Sequence, residues 1–331
     1  MDFQLSDDQR ALRAGMRDLL DAVFDRDRLR AAVERGGTLD RSLWRELGGA
    51  GFFALRLPEE AGGVGLGLPE AVLLFEEAGR ALLPGPLVAT HLAAGLVKGA
   101  AEGEAVVTAV DGDLPVAHLA EADAVLVGAD ALVGEPLRAF AAAARPVRSV
   151  DPLTPLHRVA GRTAATEAYS GALHYEGALL TAAEQLGSAT RTTETAVQHA
   201  GDRQQFGSPI GSFQAVKHLC ADMLARTEPA RAAVYAAAVT ADPVEIAAAK
   251  LLADEAAVRN ARDCLQIHGG MGFTWEADVH LHLKRAWLRA AARLGGAAAE
   301  EFLAAGLGTA RPRYGSSAAS GGRTPEAGGG G

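Results

Sequence analysis

The sequence predicts a mainly α protein in which a short β unit separates two helical parts. Three observations carry that expectation. Alanine-rich text such as RAAVYAAAVTAD, residues 231–242, favours helix because alanine loses no side-chain entropy on folding. Apolar residues recur at steps of three and four in the first hundred residues and again after about residue 169. Between these stretches the text breaks into short β-branched runs divided by Gly, Asp and Pro. The chain therefore divides into an N-terminal helical domain (1–103), a small middle β domain (104–168), a helical bundle (169–308) and a tail (309–331).

In the first part, Ser6 and Gln9 have the spacing of a capping box, and Leu12, Met16, Leu19, Leu20 and Val23 follow at helical intervals. Short helices then alternate with glycine-rich turns, and Leu73, Leu74, Glu77, Ala78 and Leu82 place one more helix before Pro84-Gly85-Pro86 stops it. In the middle, AVVTAV, LPVAH, AVLVGA and ALVG read as strands of a small antiparallel unit with room for five or six strands. In the third part three stripes appear: Leu179 to Ala200, Val216 to Val234 and Ala247 to Leu265. Successive amphipathic helices of this kind form a bundle. The Gly- and Ser-rich tail cannot bury a core, so disorder is expected there.

Composition excludes several classes. Hydrophobic residues make up 49% and charged residues 22%, an ordinary globular balance. A formal net charge of -9 disfavours nucleic acid as a partner. No run approaches the ~20 apolar residues of a membrane span. The N-terminus carries acids where a secretory signal would carry basic residues, so a cytoplasmic location is expected. Cys220 and Cys264 have no CxxC partner and read as two reduced core thiols.

Two motifs carry chemistry. In DRQQFGSPIGSFQ, Arg203 stands at a helix end, a Gly207-Ser208-Pro209 turn follows, and Gln214 opens the next helix. A guanidinium beside a turn can pair with phosphate through its planar fork, an amide can donate nearby, and Phe206 can lie against a flat ring. Taken alone, an arginine answering a helix dipole and a phenylalanine in a core are the commoner uses of these residues. In QIHGGMG, Gln266 precedes Gly269, Gly270 and Gly272, which let backbone N–H groups approach a diphosphate; a glycine-capped helix end is the blander reading. His268, His280 and His282 have no accompanying carboxylate or cysteine spacing for a metal and are expected to be solvated or helix-terminal.

Together, Arg203-x-x-Phe206-Gly207 with Phe213-Gln214, and later Gln266-x-x-Gly269-Gly270-x-Gly272, resemble the paired signatures of the acyl-CoA dehydrogenase family. LWRELGGAGFFALRLPEEAGGVGLG, EEAGRALLPGP and GFTWEADVHLHLKRA are similar to that family too, particularly to short actinobacterial subunits acting on sterol-like CoA thioesters. The resemblance covers about residues 1–305. It implies an N-terminal helical domain, a middle β domain and a C-terminal four-helix bundle that hold FAD and an acyl-CoA thioester. The implied activity is FAD-dependent α,β-dehydrogenation, with electron-transfer flavoprotein as the electron acceptor. It also implies that Arg203, Phe206, Gln214, Gln266, Gly269 and Gly270 contact the flavin of a neighbouring subunit.

The family's own-subunit flavin residues include a Thr-Glu-Pro stretch and a Trp-x-Thr-Asn stretch. Neither is visible here, and the β insert is about half the usual size, which points to one retained and one lost half of the FAD site. The family's commonest catalytic glutamate falls where this chain reads RAAARLGG around Arg293. Some members carry it at the start of the first bundle helix, here Gly177 beside Glu176. Glu184, two turns further along, is the preferred candidate base because the small residues around it should leave room for a ligand; Glu176 is the alternative. The expected partner is a homologous full-length subunit in a heterotetramer. A homo-oligomer with unfamiliar FAD contacts and a non-catalytic assembly or regulatory subunit stay open.

Overall fold

The computed structural model describes residues 4–160 and 172–309. The tail expected to be disordered lies outside the described residues, apart from its first residue. Helix α1 (Asp7–Val23) starts with the expected capping box: Ser6 Oγ accepts from Gln9 N at 3.1 Å and Gln9 Oε1 from Ser6 N at 3.0 Å. Asp25 caps α2 (Arg26–Glu34) and Asp40 caps α3 (Arg41–Gly49), each carboxylate accepting from backbone N–H groups of the first turn. Helix α4 (Leu68–Arg80) is buried over most of its length, and α5 (Leu87–Leu92) follows Pro86. Gly85, at φ +106°, sits against the Trp44 ring, where a Cβ would lie 2.5 Å from a ring carbon; no larger residue fits that stop.

Residues 107–159 form two three-stranded sheets and a helix. Strands β1 (Val107–Ala109), β3 (Ala124–Val127) and β4 (Asp130–Leu132) make one sheet, while β2 (Val116–Ala117), β6 (Leu156–Val159) and β5 (Ala144–Val147) make the other. The strand number is as expected, but the antiparallel expectation needs correcting. β1 runs parallel to β3, because the chain crosses into the second sheet at β2 before returning. Helix α6 (Gly134–Ala142), absent from the strand pattern, lies between β4 and β5.

The bundle consists of α7 (Ala172–Asp202), α8 (Gln214–Thr240), α9 (Pro243–His268) and α10 (Val279–Ala291), with α11 (Gly296–Thr309) as an additional helix against α9. A two-residue hairpin, β7 (Gln204–Gln205) with β8 (Ser208–Pro209), joins α7 to α8. Helices α4 and α7 cross backbone to backbone. A Cβ on Gly187 would lie 1.9 Å from the Glu76 carbonyl oxygen, and one on Gly79 would lie 2.0 Å from that of Glu184.

One hydrophobic core runs through all three parts, from Leu20, Trp44 and Phe75 through Val107 and Leu126 to Leu186, Val234 and Ala257. A second, smaller cluster underlies one end of the bundle with Ala200, Met223, Cys264 and Leu265. Buried polar groups are cross-linked: Gln185 Nε2 donates to Asp254 at 2.9 Å and to the Ala286 carbonyl at 3.0 Å, and Lys250 pairs with Asp254. No described helix is long and apolar enough to cross a membrane. Both cysteines are free, but only Cys264 is a core thiol, with burial pushing it up to about 12; Cys220 is half-buried.

Candidate functional site

The two sequence motifs meet at one end of the bundle. His199, near the end of α7, stacks on His268, the last residue of α9, with ring centroids 4.0 Å apart. His268 Nδ1 lies 2.8 Å from the Cys264 carbonyl, which fixes the ring against its own helix. Arg203 follows α7 directly, and its carbonyl accepts from Ile210 N at 2.8 Å to close the hairpin. Gln214 opens α8, with its amide 3.1 Å from His218. Gln266 lies in the last turn of α9, and Gly269 and Gly270 begin a short 3₁₀ turn, Gly269–Phe273. Arg203, Phe206, Gln214, Gln266, Gly269 and Gly270 are all exposed.

The local conformations suit a ligand. Gly269 has φ +60°, and no atom lies within 4 Å of where a Cβ would stand on Gly269 or Gly270, so their backbone is open to approach. Phe206 is 92% exposed and has φ 53°, with Gly207 at φ 79°. This pair forms the primed two-residue turn that matches strand twist, yet glycine or asparagine, not phenylalanine, is at ease in the first position. An exposed guanidinium, two exposed amides, bare glycine backbone and an exposed ring, edge-on to Phe213 at 6.0 Å, fit a flavin nucleotide's diphosphate and flat rings.

The second place of interest is a cavity of about 200 Å³ between the α4–α5 loop, the β unit, α7 and α10. Glu184 lines it from α7, and Arg285, Arg289 and Arg293 line it from α10 and the residues after it. Glu184 is buried, and its Oε1 accepts from Arg289 Nη2 at 2.6 Å. Burial pushes the Glu184 carboxyl above its ordinary range, opposed by the fields of Arg289, Arg285 and Arg293. Of the small residues near Glu184, Gly187 is closed by the α4 backbone, so the open space beside this carboxylate is the cavity that it and Thr181 line. Glu176 is not among the cavity-lining residues and pairs with Arg56.

The two positions at which the resemblance implied a base adjoin one another. A Cβ on Gly177 would lie 2.8 Å from Arg293 Nη1, and Arg293 N donates to Asp111 at 2.5 Å. The reaction position thus holds a guanidinium, which carries no acceptor for a proton. This adjacency, invisible at a separation of over a hundred residues, is what reading the sequence missed. Among the histidines set aside earlier, His280 and His282 are buried in the first turn of α10, not solvated; Ser188 Oγ lies 2.8 Å from His282 Nδ1.

The family model for the acyl-CoA dehydrogenase N-terminal domain matches residues 6–102, and that for the C-terminal domain matches residues 167–299. The chain is 39% identical to the acyl-CoA dehydrogenase IpdE2 of Mycobacterium tuberculosis over 78% of this chain and 84% of that protein. It is 37% identical to IpdE2 of Mycolicibacterium smegmatis, over 85% and 93% respectively. Its fold matches a chain of the solved ChsE4-ChsE5 complex from Mycobacterium tuberculosis with a TM-score of 0.81 at 25% identity, covering 94% of this chain and 100% of that one. With both helical parts matched and full-length relatives above a third identical, the chain belongs to the acyl-CoA dehydrogenase family of FAD-dependent oxidoreductases.

Proposed function

We propose that this chain is one subunit of a heteromeric acyl-CoA dehydrogenase and that its bundle corner completes a flavin site on a homologous full-length subunit. The observation that carries this reading is Phe206, which combines near-complete exposure with a left-handed backbone. A bulky residue held there costs about 1–2 kcal/mol, and among the described residues the ring gains only an edge-on contact with Phe213, centroids 6.0 Å apart. A docked surface bearing a nucleotide would cover the ring. Arg203 would hold the diphosphate oxygens, Gln214 and Gln266 would donate through their amides, and the backbone of Gly269 and Gly270 would close round the phosphates. Bound there, FAD supplies the hydride acceptor for α,β-dehydrogenation of an acyl-CoA thioester.

The proton-abstracting base belongs to the partner in this reading. Gly177 and Arg293 stand at the base positions here, while Glu184 and Glu176 are each held by an arginine. Electron-transfer flavoprotein is the expected acceptor of the complex's electrons. That a chain of similar fold comes from a complex of two named components supports a heteromer.

Co-expression with full-length homologues of the host tests this. The chain alone should purify colourless, and the co-purified complex yellow and active. Arg203→Ala should weaken flavin retention by the complex by about tenfold or more, the worth of a charge-assisted phosphate bond. A yellow, active homo-oligomer of this chain alone would overturn the proposal. Unchanged flavin content in Arg203→Ala would reduce the corner to an assembly surface.

A further inference from the structure

We propose that this chain's own cavity binds a carboxylate carried on a compact apolar body, gripped by the guanidiniums of Arg285 and Arg289. The site is separate from the bundle corner. Both arginines lie on α10 four residues apart, both line the cavity, and they are only 4% and 9% exposed. Arg285 pairs through Nε with Asp151 and donates Nη1 to the Leu83 carbonyl at 3.1 Å, but its buried Nη2 finds no acceptor among the described residues. Arg289 donates Nη2 to Glu184, and its buried Nη1 likewise finds none. A buried donor left unsatisfied is costly, the more so on a charged group, so two on guanidiniums one helical turn apart ask for an acceptor.

The acceptor's chemistry follows from the surroundings. Asp151 and Glu184 are already committed to their own arginines, and Asp111 accepts from the Arg293 backbone. A third guanidinium, Arg293, shares the wall. Burial lowers Arg289 to about 10 even with Glu184 beside it, so its cation is under-compensated. A planar carboxylate matches guanidinium forks. Much of the remaining wall is apolar, with Leu87, Val88, Leu114, Leu156 and Leu288, while Thr108, His118, Thr154 and Thr181 add polar groups. A volume of about 200 Å³ suits a single ring or short chain, since a ~150 Å³ apolar cavity already accommodates benzene.

The carboxylate has two possible sources, a free acid or the far end of an acyl chain on CoA. Calorimetric titration of the full chain separates them. Benzoate should bind, with benzamide weaker by about tenfold or more. Succinyl-CoA binding without benzoate binding, and with butyryl-CoA silent, would identify the thioester-borne carboxylate instead. Ala109→Leu, which fills the cavity without touching an ion pair, should weaken the bound carboxylate at least about tenfold. The paired change Arg289→Met with Glu184→Gln, which leaves no lone buried charge, should do the same. Equal affinity for benzoate and benzamide, indifference to both variants, or no binding of either carboxylate at millimolar concentration would overturn the proposal. The readout is heat of binding by this chain, so flavin loading and assembly do not enter, and failure here leaves the corner reading standing.

Discussion

At the scale of single residues, function is marked where a side chain defies its own preferences. Phe206 is a large apolar ring in solvent on a backbone that favours glycine. Phe206→Gly relieves the backbone but gives up the edge-on contact with Phe213, so it should leave the isolated chain within about 1 kcal/mol of the parent while weakening assembly with the proposed flavin-bearing partner; urea midpoints and sedimentation of the complex check both halves. The Arg289–Glu184 pair makes the opposite case. Arg289→Met strands a buried carboxylate and should cost about 3–5 kcal/mol, and adding Glu184→Gln should recover most of it. A denaturation double-mutant cycle without coupling would show the pair to be incidental. The exposure of Arg203, Gln214, Gln266 and the glycines agrees with what their motifs suggest, because backbone openness and donor chemistry are written in residue type. The juxtaposition of Gly177 with Arg293 was not legible, because no local pattern spans that separation.

At the scale of elements, helices were read well and sheet topology was not. The α1 capping box and the stripes on α7, α8 and α9 are local, set by spacing along one segment. The parallel β1–β3 pair depends on where the chain goes between them, which a strand's own text does not encode. The α4–α7 crossing shows how small residues mislead when read as room for a ligand. At Gly187 the missing Cβ admits another backbone. Gly187→Ala should cost at least about 1–3 kcal/mol, since neither helix can retreat without opening the core they share; a urea midpoint equal to that of the parent chain would contradict the close crossing.

At the scale of the whole molecule, the N-terminal helices, β unit and bundle share one core, which makes buried titratable groups report on global folding. Burial holds His91 and His280 at about 4 and His282 at about 3, while an unfolded histidine takes up its proton near 6.5. Below about pH 6.5 the unfolded chain thus binds more protons than the folded one, so stability must fall as pH drops towards about 4. Urea midpoints measured from about pH 7 to about pH 5 should decline steadily, and His282→Gln should flatten the slope. A flat profile would show that these imidazoles are protonated in the folded state.

By itself the sequence determined the helical class, the three-part order and the family signatures, and it supplied the candidate residues of the proposed flavin corner. These follow from period, propensity and side-chain chemistry, which act over a few residues at a time. Only the tertiary structure decided that the corner is exposed and gathered at one bundle end, that an arginine faces a glycine at the base positions, and that two buried guanidiniums share an apolar cavity. Those facts are set by close packing between segments far apart in the chain, where shape and burial, not local text, fix what each side chain meets.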